Sequence, residues 1–213
     1  MSKIIVTSRY LKSGSQKKLS HYVKYIATSP GVVMPQQNQN TITREKLVNY
    51  IATRPGAVAV QQHGLFTQTD APIDLQSVAN EIANHPGNVW THVVSLRRDD
   101  AQRMGYETLQ AWQGLVRRQM PNIAKHMKID LSHLRWYAAF HDKKNNPHVH
   151  IVVYSTNPKE GFLTEHGIEK IRSGFANDVD EDTLAELHRM CVTEVRKING
   201  IIAYEDAVEY QKE

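Results

Sequence analysis

The chain has 213 residues, of which 40% are hydrophobic and 23% are charged, a composition typical of one sizeable globular domain. No run of eighteen apolar residues is present, which argues against membrane insertion, and the single cysteine excludes a disulfide framework and a cysteine-rich zinc finger. The net charge is +4, yet the first 44 residues contain seven basic residues and no acidic one, which indicates a polyanionic partner or a merely solvated basic segment.

Strand and helix patterns alternate along the chain. Short segments rich in Val and Ile with alternating apolar residues predict strands, and apolar residues repeated every three to four positions predict helices. In chain order we expect a strand at 3–8, helices at 18–28 and 43–54, a short extended pair within 57–66, a helix at 74–84, a strand at 88–97, a helix at 107–128, strands at 134–140 and 148–155, and helices at 164–172 and 182–199. This order predicts an α/β (α+β) fold with a central, mainly antiparallel five-stranded sheet flanked by helices.

A tyrosine-containing motif occurs twice near the N-terminus. YVKYIATSPGVV at 22–33 recurs as LVNYIATRPGAV at 47–58, and both copies place Tyr-Ile-Ala-Thr one residue before Pro-Gly. Two copies are too few for a repeat array. The motif indicates either a duplicated amphipathic helix whose tyrosine packs beneath its Pro-Gly end, or a tyrosine, Tyr25 or Tyr50, that is presented at a helix end in the basic part of the chain.

Three histidines fall on two neighbouring predicted strands. His148 and His150 are two positions apart, so their side chains point to the same face of a strand. Residues 142–147, DKKNNP, have the composition of a turn, and a hairpin closed by this turn brings His141 level with His148. Three neutral imidazoles that leave coordination positions open are typical of a catalytic divalent-metal site. Asp142 is a candidate to orient one of these ligands from behind.

The same histidines also fit a metal-free polar strand edge, although the apolar run that begins at Ile151 favours a buried strand. A structural zinc site would need a fourth protein ligand, for which His166 is the candidate. Histidine ligands suit manganese, zinc, nickel and cobalt, and magnesium is a further candidate for the ion in use. We therefore expect a divalent metal ion, with manganese or magnesium in use and zinc, nickel or cobalt able to bind.

A metal held by histidines, a tyrosine and a basic segment together suggest phosphodiester transesterification. A free tyrosine has a pKa near 10, so only about one in a thousand is ionised at neutral pH, and a metal or a base must assist its attack. The metal would polarise the scissile phosphate. The products are a phosphotyrosyl ester and a free hydroxyl, so the strand can be rejoined, whereas simple hydrolysis needs no tyrosine.

Several segments of the chain resemble one family. HDKKNNPHVHIVVYS resembles the third motif of conjugative relaxases, members of the HUH (His–hydrophobic–His) endonuclease superfamily, and YVKYIATSPG resembles their first motif. GNVWTHVVSLRRDDAQRMGY, LRWYAAFHDKKNNPHVHIVVYSTNPKEGFLTEHGIEKI and YIATRPGA look like the MobL group of mobilisation relaxases. The resemblance extends over nearly the whole chain. It implies a single palm-like HUH relaxase domain over residues 1–213, at the N-terminal part of a longer protein.

The resemblance also implies roles for individual residues. It implies that His141, His148 and His150 bind the metal and that Tyr25, in the first helix, is the nucleophile, with Tyr50 as the second choice. The implied activity is site- and strand-specific nicking of single-stranded DNA at an origin of transfer, through a 5′-phosphotyrosyl intermediate and with later religation, for mobilisation of a plasmid or an integrative element. The implied partners are accessory DNA-binding proteins and a type IV secretion coupling protein.

Further residues are expected around this site. His92, on the predicted strand at 88–97, is a candidate hydrogen-bonding neighbour of the metal site, although a packed histidine is the simpler interpretation. Single-stranded DNA is expected because a tyrosine must reach one specific phosphate and aromatic side chains can stack on free bases. The expected phosphate contacts are Arg9, Lys17, Lys18, Lys24, Arg44, Arg54, Arg97 and Arg98.

Two alternative functions stay open. A replication initiator or transposase of the same superfamily would use the same chemistry for another purpose. A non-catalytic module that binds origin DNA with a structural metal would leave the DNA uncut. For each of these functions we expect a cytoplasmic protein, because the chain has one cysteine and no apolar run of membrane-spanning length.

Overall fold

The computed structural model describes residues 4–11, 16–34 and 63–180. These residues contain five strands: β1 (Ile5–Leu11), β2 (Leu65–Phe66), β3 (Val89–Ser95), β4 (Leu134–His141) and β5 (His148–Ser155). They form one sheet in the order β1-β3-β5-β4-β2, in which all neighbouring strands are antiparallel. The predicted α+β fold with a five-stranded antiparallel sheet is confirmed.

Five helices accompany the sheet in the described residues. They are α1 (Gln16–Thr28), α2 (Leu75–Ala83), α3 (Arg98–Arg103), α4 (Leu109–Met127) and α5 at 165–180. None of the helices in this part of the chain combines the length and the apolar character that crossing a membrane requires.

The helix boundaries follow local capping chemistry. The hydroxyl of Thr108 accepts the N–H of Ala111 at 3.3 Å, so α4 begins at Leu109, and Lys128 closes it in the left-handed region with φ 56°. The sequence RDDAQR of α3 has no apolar period, and this helix was not predicted. The predicted helix at 164–172 continues to residue 180. The predicted helices at 43–54 and 182–199 lie outside the described residues.

Helices cover both faces of the sheet. α1 and α2 pack on the front face, where Leu19, Val23 and Ile26 lie against Ile82 in one buried cluster. α4 and α5 pack on the back face, where the ring of Trp112 belongs to a larger buried cluster. A fully buried Leu, Ile or Phe side chain contributes roughly 1.5–3 kcal/mol, so the two clusters hold α1 and α4 firmly against opposite faces.

Candidate functional site

The hairpin of β4 and β5 brings three imidazole rings together on the front face of the sheet. His141 pairs directly with His148, and His150 lies two residues further along β5. The ring centroid of His141 is 5.2 Å from that of His148 and 4.9 Å from that of His150, and the centroids of His148 and His150 are 5.0 Å apart. One nitrogen from each ring lies within 4.8 Å of the other two. The structure therefore forms the convergence that strand alternation and the turn at 142–147 predicted.

One arginine holds the loop between the two histidine strands. The guanidinium of Arg98 donates hydrogen bonds to the Asp142 carboxylate, to the carbonyl of Lys143 at 2.5 Å and to the carbonyl of Lys144 at 3.1 Å. Its backbone N–H donates to the carbonyl of Asn145 at 2.9 Å. The planar fork of an arginine suits such multiple acceptors. Arg98 was predicted to contact phosphate, but its side chain is occupied by the loop, and Asp142 accepts from Arg98 rather than orienting a histidine.

The end of α1 contacts the first of the three histidines. Pro30 has no N–H, so the carbonyl of Ile26, four residues earlier, lacks its helical partner. This carbonyl instead accepts a hydrogen bond from Nε2 of His141 at 2.9 Å. Gly31 follows with φ 95°, a conformation that favours glycine, and its carbonyl accepts the N–H of Asp142 at 2.7 Å. The Pro-Gly end of the first motif copy thus docks α1 on β4; the second copy lies outside the described residues.

Backbone carbonyls determine the protonation pattern of two of the rings. A carbonyl oxygen only accepts, so the proton of a neutral His141 is on Nε2, facing Ile26. Nδ1 of His148 lies 2.9 Å from the carbonyl of Asn146, so a neutral His148 carries its proton there. The lone pairs are then on Nδ1 of His141 and on Nε2 of His148. Each ring therefore keeps one nitrogen able to bind a cation.

Burial keeps two of the rings uncharged at neutral pH. Burial, assisted by the charges that His141 and His148 would carry, lowers the pKa of His150 to about 3. Burial also lowers the pKa of His141, and nearby His148 and Lys143 add to this effect, while the Ile26 carbonyl opposes it. Neutral imidazole is the form that binds a metal ion.

Tyr22, which was not among the predicted site residues, is a tyrosine in contact with this cluster. Its hydroxyl lies 3.1 Å from Nδ1 of His150, and the two rings meet edge to face with centroids 6.1 Å apart. Burial raises the pKa of Tyr22 to about 12; a hydrogen bond with Thr91 and the charge of Arg9 partly offset this rise, and Tyr25 adds to it. The available signal was helical spacing, because Tyr22 lies three positions after Leu19 and four before Ile26, two apolar residues of the same predicted helix.

Tyr25, the predicted nucleophile, lies on the solvent side of α1. Its side chain is 60% exposed. The next residue, Ile26, supplies the carbonyl that accepts from His141, so Tyr25 lies in the turn of α1 that docks on the histidine hairpin. Tyr50, the second choice, is outside the described residues.

His92 faces away from the three histidines. It pairs with Ile151 on β5, so strand alternation directs it to the back face, opposite to His150. Its ring is fully buried, its Nδ1 lies 2.8 Å from the hydroxyl of Ser8, and burial lowers its pKa to about 4. The predicted contact between His92 and the metal site is therefore not formed in the structure. The face that His92 occupies is set by the register of β3 against β5, which the sequence of β3 alone does not reveal.

Basic residues border the front face near α1. Arg9 lies on β1 opposite Thr91, is exposed, and its charge acts on Tyr22. Lys18 and Lys24 are on α1, with Lys18 exposed and Lys24 half-buried. Of the other expected phosphate contacts, Lys17 lies in α1, Arg97 is exposed at the start of α3, and Arg44 and Arg54 lie outside the described residues.

A family model described as MobL relaxases matches residues 1–181 of the chain. The matched residues include the histidine hairpin, α1 and both copies of the tyrosine motif. No curated protein and no solved structure matches the chain.

Proposed function

Because the chain belongs to the MobL relaxases, we propose that it nicks single-stranded DNA at one site and on one strand of an origin of transfer, and later rejoins it. The reaction is a tyrosine transesterification with a 5′-phosphotyrosyl intermediate, and it serves mobilisation of a plasmid or an integrative element. The observation that carries this proposal is the convergence of three imidazoles next to the helix that bears the tyrosines. A replication initiator or transposase would use a similar centre, and the family match favours the relaxase.

His141, His148 and His150 would hold a divalent cation. Their nitrogens lie within 4.8 Å of one another, burial favours the neutral form of two rings, and hydrogen bonds engage the second nitrogen of each ring. These observations fit a metal centre. We propose manganese or magnesium as the ion in use, with zinc, nickel or cobalt able to bind. When bound, the cation supplies stabilisation of the negative charge that develops on the scissile phosphate.

Tyr25 is the proposed nucleophile, and Tyr50 is the second choice. The exposed side chain of Tyr25 can meet a DNA phosphate, whereas the hydroxyl of Tyr22 is held against His150. The phenol oxygen of Tyr25 forms the new bond to phosphorus, and the bond between phosphorus and the 3′ oxygen breaks. The phenol proton leaves, and the departing 3′ oxygen takes up a proton. The reverse steps restore the phosphodiester without an external energy source.

The basic border of the front face supports DNA as the substrate. Arg9, Lys18 and Lys24 lie near the tyrosines and would contact the phosphates on either side of the cut. Lys17, Arg44, Arg54 and Arg97 are further proposed contacts, whereas the contacts of Arg98 favour a role in holding the loop. We also propose that residues 1–213 form one relaxase domain that works with accessory DNA-binding proteins and a type IV secretion coupling protein.

A covalent-adduct experiment tests the reaction and the nucleophile together. The protein is incubated with manganese and single-stranded oligonucleotides that tile the DNA beside its gene, and any DNA-linked peptide is identified by mass spectrometry. We expect the link on Tyr25, and we expect Tyr25→Phe to form no adduct while DNA binding changes by no more than about threefold, since one phenol hydroxyl is removed. An adduct that persists in Tyr25→Phe and disappears in Tyr50→Phe would contradict the choice of nucleophile. Unchanged nicking in EDTA would contradict the metal.

A further inference from the structure

The hydroxyl of Tyr22 reaches from α1 to the ring of His150. The oxygen lies 3.1 Å from Nδ1, and the edge-to-face arrangement of the two rings adds a second contact. The rotation of α1 is set by Leu19, Val23 and Ile26, which are buried against the front face of the sheet. This rotation directs Tyr22 inward, where its ring packs at the margin of the same buried cluster. The contact with His150 is therefore a consequence of how the whole helix is docked.

This contact engages Nδ1 of His150 and leaves Nε2 as the nitrogen available to a cation. A neutral imidazole has one N–H and one lone pair. If Nε2 binds a cation, Nδ1 must carry the proton, and the oxygen of Tyr22 is then the acceptor of that N–H. Metal-binding histidines generally donate their second N–H to such an acceptor, which sets the tautomer and the ring orientation.

Nδ1 of His150 faces a side chain, whereas Nε2 of His141 and Nδ1 of His148 face backbone carbonyls, those of Ile26 and Asn146. The other nitrogen of His141 lies 3.5 Å from the hydroxyl of Ser29. A backbone acceptor survives any substitution, but the acceptor for His150 is lost when one oxygen atom is removed from Tyr22.

We propose that Tyr22 is a positioning residue for the metal centre: its phenol oxygen accepts the Nδ1–H of His150 and directs Nε2 to the point shared with His141 and His148. The inference rests on the proposed function, because it assigns Tyr22 a task within that metal centre. The inference also gives different roles to two tyrosines of the same helix. Tyr25 forms the bond to DNA, whereas Tyr22 orients a metal ligand and forms no bond to DNA.

The test measures metal binding apart from DNA chemistry. Manganese is titrated into the DNA-free protein by calorimetry, and adduct yield is measured as a function of manganese concentration. We expect Tyr22→Phe to weaken manganese binding by about 10- to 100-fold, the usual cost of removing an outer partner of a ligand. Its adduct yield should recover at saturating manganese. Tyr25→Phe should bind manganese like the wild type and form no adduct at any concentration.

Tyr10→Phe is a matched control, because the hydroxyl of Tyr10 donates to Asn88 at 3.0 Å on the back-face side of β1, which pairs there with Trp90. We expect this variant to bind manganese normally. Thermal melting without metal separates positioning from folding: Tyr22→Phe should melt like the wild type and gain less from added manganese. If wild type and Tyr22→Phe bind manganese equally, the positioning role is wrong and the proposed function stands. If the wild type binds no divalent metal, the metal centre and the inference fail together.

Discussion

His150 and His92 occupy adjacent strands of the same sheet, yet they lie on opposite faces. His92 pairs with Ile151, the residue that follows His150, so a single step along β5 separates their environments. Burial lowers the pKa of both rings, to about 3 for His150 and about 4 for His92. His150 has two more imidazoles and a phenol beside it, whereas His92 faces the hydroxyl of Ser8. A lowered histidine pKa therefore does not by itself identify a candidate metal site. Further nitrogen and oxygen atoms on the same face of the sheet do.

Alanine substitutions of His150 and His92 should have the largest and most different effects. We expect His150→Ala to lose manganese binding and adduct formation completely, because it removes one of three proposed ligands. We expect His92→Ala to lower the free energy of unfolding by about 2–4 kcal/mol, since it leaves a cavity and an unpaired serine, while the folded fraction keeps its adduct yield. Denaturant titration and an adduct gel measure the two effects. If folded His92→Ala lost manganese binding, the expected independence of the front-face site from the back-face histidine would be wrong.

The pH dependence of stability should reveal the buried ring on the back face. The pKa of His92 is about 4 in the folded protein and 6.5 in the reference state, so the unfolded chain binds the proton more readily between these values. This contribution to stability is complete above about pH 6.5 and decreases as the pH falls to about 4, by roughly 3 kcal/mol in total. We expect His92→Phe to lose less stability than the wild type over this range in urea titrations with EDTA. If the free energy of unfolding of the two proteins fell equally with pH, the conclusion that His92 is buried and uncharged would be wrong.

The smallest expected effect concerns the loop that joins the two histidine strands on the front face. Arg98→Lys keeps the charge but loses the fork that reaches Asp142, Lys143 and Lys144. We expect manganese binding to weaken about fivefold, equivalent to roughly 1 kcal/mol, because these hydrogen bonds are partly exposed. Arg103→Lys is the control, since Arg103 pairs with Asp100 on α3. Equal manganese affinity in all three proteins would show that the loop needs no such support.

The front-face hairpin could be predicted from the sequence because its information is local. The two-residue spacing of His148 and His150, and the turn composition that follows His141, are visible without any other part of the chain. The position of His92 could not be predicted in this way, because it depends on the register between β3 and β5, which lie more than fifty residues apart in sequence.

Side-chain partners were harder to predict than positions. Arg98 resembles any exposed arginine in sequence, and its role appears only when the loop folds next to it. Tyr22 and Tyr25 are both plausible from YVKY, and only the docking of α1 through Leu19 and Val23 distinguishes the partly buried tyrosine from the exposed one. The helix α3 was missed because its charged residues have no apolar period.

The carbonyl of Ile26, which Pro30 leaves without a helical partner, accepts a hydrogen bond from His141. This bond would couple cation binding by His141 to the docking of α1 on the sheet. A cation on His141 would make the ring N–H a stronger donor, so metal occupancy and the docking of α1 would favour each other. Thermodynamic reciprocity then applies in both directions. Under the proposed mechanism, anything that favours the docking of α1 would raise the affinity for the cation by the same factor by which the cation favours docking. The proposed relaxase would therefore hold its metal more tightly whenever the end of α1 is docked on His141.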